Sequence, residues 1–204
     1  MAYSDFNLVT VQKAFSLTLK REDLFENIKP IEASQWLKEA LDMGIELAFN
    51  SEKARSEFLV VPILLTGREL SHNSFSIYSG ERLDVEPDSG LVGECDFILT
   101  NTPPLPVIQA PIVIIVEAKK NDIEGGLGQC VAQMLGAKLF NQKEDNPIDT
   151  IFGCVTTGES WQFLKLENDS ISINSGRNYI NNVGEILGML QAIVSHYKPY
   201  ATAA

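Results

Sequence analysis

The stretch Pro111-Ile112-Val113-Ile114-Ile115-Val116-Glu117-Ala118-Lys119-Lys120 (PIVIIVEAKK) decides how the rest of the chain is read. Its first six residues are an unbroken, mostly β-branched apolar run. Such a run marks a strand covered on both faces, hence central in a sheet with helices on either side. The run then stops at an acid and a base two residues apart. Side chains of a strand alternate, so Glu117 and Lys119 point to one face and Ala118 to the other. An isolated charge is costly next to such an apolar segment, and a carboxylate and an ammonium together near a metal are not.

Working outward, Glu94–Thr100 (ECDFILT) reads as a neighbouring strand that sets Asp96 beside Phe97, Ile98 and Leu99, closed by the Pro-rich loop at 103–106. Ser74–Tyr78 alternates like a strand, and Pro87-Asp88-Ser89-Gly90 reads as a turn. Downstream, Gly125 and Gly126 precede a helix over Leu127–Asn141. Strands follow at Ile151–Thr157 and Trp161–Glu167, and Asn168-Asp169 turns the chain into Ser170–Asn174. A last helix covers Val183–Tyr197.

Upstream, Ser51 is a good N-cap for a helix over Ser51–Leu65. Glu52 favours its positive end, and Pro62 should kink it. Residues after Pro30 read as helix, with Ile31, Trp36, Leu37, Leu41, Ile45 and Leu47 near helical spacing and Gly44 a soft spot. Helix and strand compete over residues 5–20, and helix is favoured. The fold class is therefore α/β: a mixed central sheet flanked by helices, with an added C-terminal β-hairpin and a helical N-terminal part. The whole chain, 1–204, reads as a single domain: an N-terminal helical extension over 1–50, a core over 51–175 and a C-terminal helix within 176–204.

Composition narrows the class. With 45% apolar and 21% charged residues, the 204-residue chain is an ordinary globular sequence, which excludes disordered and collagen-like classes. Cys95, Cys130 and Cys154 are scattered and form no CxxC pair, so neither a disulfide framework nor a zinc site is expected. That points to a reducing compartment and a cytoplasmic protein. The N-terminus lacks a basic segment followed by an apolar run, and no apolar stretch is long enough to span a bilayer, so no membrane partner is expected. The net charge of −11 gives no general attraction to nucleic acid.

Asp96 and Glu117 on adjacent strands make a site for a hard divalent cation, Mg²⁺ or Mn²⁺, which favours oxygen ligands and keeps several waters. Asp96 followed by Glu117-x-Lys119 at a strand end resembles the signature of the PD-(D/E)XK, or restriction-endonuclease-like, nuclease superfamily. That family's order of helix, three strands, helix and strand corresponds to residues 51–157. The segment TTGESWQFLKL that follows resembles the nuclease domain of type I restriction enzymes. Where the motif has Pro before its first acid, this chain has Cys95. Its one Pro-Asp pair, Pro87-Asp88, lies in a turn, so Asp96 is the better ligand. The family often carries an acid on the preceding helix, where Glu57 stands, and a Gln on the following helix, where Gln129 and Gln133 stand.

The resemblance implies a Mg²⁺-dependent nuclease that hydrolyses phosphodiesters, with DNA favoured over RNA. It assigns Asp96, Glu117, Lys119 and Gln129 to catalysis, with Gln133 the secondary candidate. It assigns Asp96, Glu117, the Ala118 carbonyl and Glu57 to the metal. Each residue also has a plainer reading: a strand-end ion pair for Glu117 and Lys119, a structural carboxylate for Asp96, solvated helix faces for Glu57 and for the two glutamines. Gly125-Gly126-Leu127-Gly128 is not a P-loop, because no Lys-Ser/Thr follows. His72 and His196 are isolated. A catalytically silent binding or assembly protein of the same fold, working with a partner, is the alternative function, and the acidic balance favours it. A basic stripe from Arg55, Arg68, Arg82, Lys119, Lys120 and Lys138 leading to the site would favour the nuclease. A homodimer is expected from the apolar surplus of 1–50, or a partner subunit that delivers DNA to an acidic chain with weak attraction of its own for phosphates.

Overall fold

A computed structural model describes residues 1–197; residues 198–204, the end of the expected C-terminal segment, lie outside the described residues. The apolar run forms β4 (Ile112–Ala118), buried at every position. It lies inside an eight-stranded mixed sheet together with β1 (Thr18–Glu22), β2 (Ser76–Arg82), β3 (Glu94–Thr100), β5 (Thr150–Thr156), β6 (Ser160–Glu167), β7 (Ser170–Asn174) and β8 (Asn178–Tyr179). The order is β1-β7-β6-β5-β4-β3-β2, with β8 pairing β6. β4 is antiparallel to β3 and parallel to β5, and the hairpin β6–β7 extends the sheet beyond β5. The Asp96 and Ile151–Thr157 strands thus flank the Glu117 strand, as the sequence predicts.

The parallel β4–β5 pair needs a crossover, supplied by α5 (Ile123–Lys143). Its Cys130, Val131, Met134 and Ala137 cover one sheet face with Ile115, Ile151, Val155 and Leu164. The other face is covered by α2 (Gln35–Ile45), α4 (Val61–Leu70) and α6 (Val183–His196), which close over Phe97, Leu99, Ile114, Val116, Phe163 and Trp161. Two apolar layers on one sheet explain why β4 carries no alternation. Among the described residues no helix is long and apolar enough to cross a membrane.

One irregularity sets the phase of β4. Leu99 pairs with Ile114 but Thr100 pairs with Ile112, so Val113 is an extra residue, a β-bulge. Ile112 packs on the α5 side, Val113 and Ile114 both on the other side, and Ile115 on the α5 side again. From there alternation carries Glu117 and Lys119 to the face that α5 covers.

Several elements differ from expectation. Residues 5–20 hold both competing structures: α1 (Leu8–Ala14), capped by Asn7, ends at Ser16 with φ of 55°, and β1 then pairs in parallel with β7 at the sheet edge. Tertiary pairing overrides local preference there. The N-terminal part is therefore not wholly helical. In α2 only Leu37, Leu41 and Gly44 are buried; Trp36, Ile45 and Leu47 face outward.

The expected helix from Ser51 runs as α3 (Glu52–Arg55), a π-helical turn (Ser56–Val60) and α4. Proline lacks an N–H and its ring crowds the carbonyl four residues back. The wider turn before Pro62 absorbs that mismatch. Finally, α5 begins at Ile123 with Asp122 as cap, so the glycines lie inside the helix. At Gly126 a Cβ would stand 2.7 Å from Val155 Cγ1 and 3.0 Å from Lys119 Cγ, so the glycine lets the helix close directly over the site lysine.

Candidate active site

The adjoining ends of β3 and β4 and the first three turns of α5 form the site. Glu117, 2% exposed, is held at both oxygens: Oε1 accepts from Lys119 Nζ at 2.6 Å and Oε2 from Gln133 Nε2 at 2.7 Å. Lys119 Nζ also donates to Gln129 Oε1 at 3.1 Å. Gln129 and Gln133 are one helical turn apart on α5, so both reach the same strand end; Gln129 orients the lysine and Gln133 the carboxylate. Gln133 is fully buried, and its Oε1 has no partner.

Asp96 is half-buried on β3, and its Oδ2 accepts the Ala118 N–H at 2.7 Å. The N–H and C=O of one strand residue point to the same side, so the Ala118 carbonyl also faces β3. Asp96, Glu117, Lys119 and Gln129 line one cavity of about 330 Å³, together with Ala2, Tyr3 and Ser4 from the chain's start. Tyr3 is anchored there by donating its hydroxyl to the Leu83 carbonyl at 2.8 Å.

The electrostatics follow from crowding two acids into this end of the sheet. Burial, and then the charge of Asp96, push the Glu117 carboxyl up to about 7 against the pull of Lys119 and the two hydrogen bonds. Burial also raises Asp96, opposed by the Ala118 amide and Lys119 and reinforced by Glu52 and Glu94. Burial alone would lower Lys119, but Glu117, Glu52 and Asp96 outweigh it and raise it, so the ammonium stays charged. The three cysteines are free and buried, and burial pushes their thiols up.

The helical acid that meets the lysine is Glu52, not Glu57. Glu52 Oε1 lies 3.9 Å from Lys119 Nζ, and its Oε2 accepts the Lys120 N–H at 3.2 Å. Glu57 lines an adjoining cavity of about 500 Å³ that shares Glu52, Glu94 and Asp96 with the site but not Glu117 or Lys119, is exposed, and pairs with Lys53 at 3.8 Å. The four residues between them, more than a full helical turn, turn Glu57 away when the N-terminus of α3 docks over the strand end. Glu52 reads in sequence as a first-turn acid favoured by the helix dipole, and that reading hides its contact with the lysine. Asp88 is exposed on a 3₁₀ turn. His72 is exposed after α4, and His196 packs edge-to-face with Phe152 and Tyr197, so neither meets the site.

The basic stripe that would favour the nuclease does not form as a whole. Arg68 donates to the Phe75 carbonyl and Asn73, Arg82 pairs with Asp84, and Lys138 donates to the Asn168 carbonyl. Arg55 and Lys120 remain beside the site.

Among the described residues no group of three or more His, Cys, Asp or Glu side chains is arranged to hold a metal ion. An all-protein cage is therefore absent from the described residues. The donor set fits a cation that needs none: Mg²⁺ commonly binds through one or two carboxylates and takes its remaining ligands from water and substrate phosphate. Each carboxylate oxygen has a second lone pair beyond the hydrogen bond it accepts, so Asp96 and Glu117 retain the capacity to ligate. Compared with family models, with curated proteins and with solved structures, the chain matches none, and the functional reading rests on the arrangement itself.

Proposed function

We infer that the chain is a Mg²⁺- or Mn²⁺-dependent nuclease that hydrolyses phosphodiester bonds in DNA. The observation that carries this reading is the buried Glu117, which shares a cavity with Asp96 and is bonded to a lysine. Folding alone gives no reason to crowd two mutually repelling carboxylates at the adjoining ends of two strands, and a divalent cation held by them would offset the cost. Asp96 and Glu117 are the residues that would hold it, with the Ala118 carbonyl on the same side. Such a cation, when bound, lowers the pKa of a bound water and neutralises charge on the phosphate.

The chain's own groups supply the rest. Lys119 keeps a positive charge beside the carboxylates and is aimed by Gln129 and Glu52. An ammonium so placed stabilises negative charge that grows on phosphate oxygens, or orients the attacking oxygen. Gln133 fixes the Glu117 carboxylate so that it does not reorganise during the reaction. The test is cleavage of single- and double-stranded DNA and RNA with added Mg²⁺ or Mn²⁺, against an Asp96→Ala control. Wild-type cleavage that survives in that control would exclude this site.

A second reading is a silent binding or assembly protein that works with a partner. It draws on the closed Lys119–Glu117–Gln133 network, which satisfies both oxygens of Glu117 without any ligand, and on the net charge of −11. Metal binding without cleavage of any substrate would favour it.

A further inference from the structure

The two sides of the site differ in sign. The cavity on the β2–β3 side of Asp96 is lined by Glu52, Glu57, Glu94 and Asp96 against Lys53 alone. The cleft on the β5–β6 side, of about 320 Å³, is lined by Arg55, Lys120 and Arg177 against Glu159 alone. Of these two sides, the cleft is the electrostatically more open approach for a polyanion.

This cleft adjoins the site through two elements. Lys119 reaches into the site while the next residue, Lys120, lines the cleft. The short helix α3 carries Glu52 to Lys119 and, one turn later, Arg55 to the cleft. Arg55 is nearly buried and fixed by donating to the Thr157 carbonyl at 2.9 Å and to Glu159 at 2.6 Å, and its Nε has no partner. Lys120 is exposed, and its ammonium makes no ion pair among the described residues. Arg177 stands at the rim, paired with Glu124.

Tyr179 completes the cleft. Its backbone is held in register by pairing of β8 with Ser160, yet its side chain is among the exposed large apolar groups, 52% accessible. An aromatic ring on a fixed backbone beside cationic side chains is the pairing that single-stranded nucleic acids use, the ring for a base and the cations for phosphates. A base within a duplex cannot offer its face to that ring.

We propose that the Arg55–Lys120–Arg177–Tyr179 cleft binds the single-stranded DNA segment next to the scissile phosphate, with phosphates on Lys120 and Arg177 and a base stacked on Tyr179. This rests on the nuclease reading for its direction toward Lys119. Binding itself is measured without cleavage, by fluorescence anisotropy of a labelled oligothymidylate in Ca²⁺, across a salt series, with a duplex of mixed sequence as comparison.

Single strands should bind more tightly than duplex. Tyr179→Ala should weaken binding about ten-fold, while Tyr179→Phe keeps it, because the ring and not the hydroxyl is used. Lys120→Ala and Arg177→Ala should each weaken binding and reduce the slope of log K against log salt by about 0.7. Wild-type affinity in Tyr179→Ala and Lys120→Ala, preference for duplex, or no binding by the wild type would overturn the proposal. Cleft-dependent binding without cleavage would remove the nuclease reading alone. Cleavage with cleft-independent binding would remove this proposal alone.

Discussion

Replacing Glu117 with Gln removes a charge that the fold holds at a cost. The Glu117 carboxyl is raised from 4.5 to about 7 by burial and by Asp96. The folded state therefore binds this proton more tightly than the unfolded state does. The cost is absent below the unfolded value, grows as pH rises from 4.5 to about 7, and is fully present above that. At about pH 8 it corresponds to roughly 3 kcal/mol. The variant does not recover all of this. That figure is already net of the pull of Lys119 and of the two hydrogen bonds, and a Gln at this position keeps an acceptor for Lys119 Nζ. Its new amide, however, meets Gln133 Nε2, donor against donor, unless the Gln133 amide turns over. That turn brings in Gln133 Oε1, which has no partner in the wild type.

The expected net gain is about 1–2 kcal/mol at about pH 8, or a few degrees in Tm for a chain of this size. Thermal melts in EDTA measure it directly, and the gain should vanish near pH 4, where the wild-type carboxyl is neutral in both states. Added Mg²⁺ should raise the wild-type Tm and leave the variant nearly unmoved. A Glu117→Gln protein less stable than wild type at about pH 8, or a difference independent of pH, would refute the view that the bonds to Lys119 and Gln133 offset only part of the cost of burying this carboxylate.

The other predictions concern activity and association. Cleavage should require Mg²⁺ or Mn²⁺ and fail with Ca²⁺, which is larger and activates water poorly; equal rates in Ca²⁺ would contradict the metal's proposed part. Lys119→Ala should lose most turnover yet bind Mg²⁺ as well as wild type by calorimetry, while Gln129→Ala should cost a factor on the order of ten to a hundred through a mispositioned lysine. Glu52→Ala should lower kcat and Glu57→Ala should leave it within about two-fold, because only the first acid touches Lys119; the reverse order would show that the helix docks differently. Met43, Leu47 and Phe49 are all more than half exposed on one segment, so light scattering at micromolar concentration should give a dimer mass, and a monomer mass would remove that expectation.

The central strand and the chemistry-bearing pair were legible in the sequence because both are local. A β-branched run that ends in Glu117-x-Lys119 names its strand, its place in the sheet and the common face of the two charges from the chain alone. The hairpin after β5 was legible for the same reason: Asn168 takes a φ of 53° in the turn that joins β6 to β7. Which face the acid and the lysine share was not legible. A strand buried on both sides has no alternation to reveal its phase, and the bulge at Val113 that sets it arises from pairing with Leu99 and Thr100. The choice between Glu52 and Glu57 was equally hidden, because it depends on how the helix meets the strand end. So was the edge strand β1, whose hydrogen-bond partner is β7, distant along the chain. Local alternation and turn chemistry act within a few residues and are written in the sequence, whereas the contacts that turned one carboxylate toward Lys119 and another toward Lys53 exist only once the two covering layers have closed on the sheet.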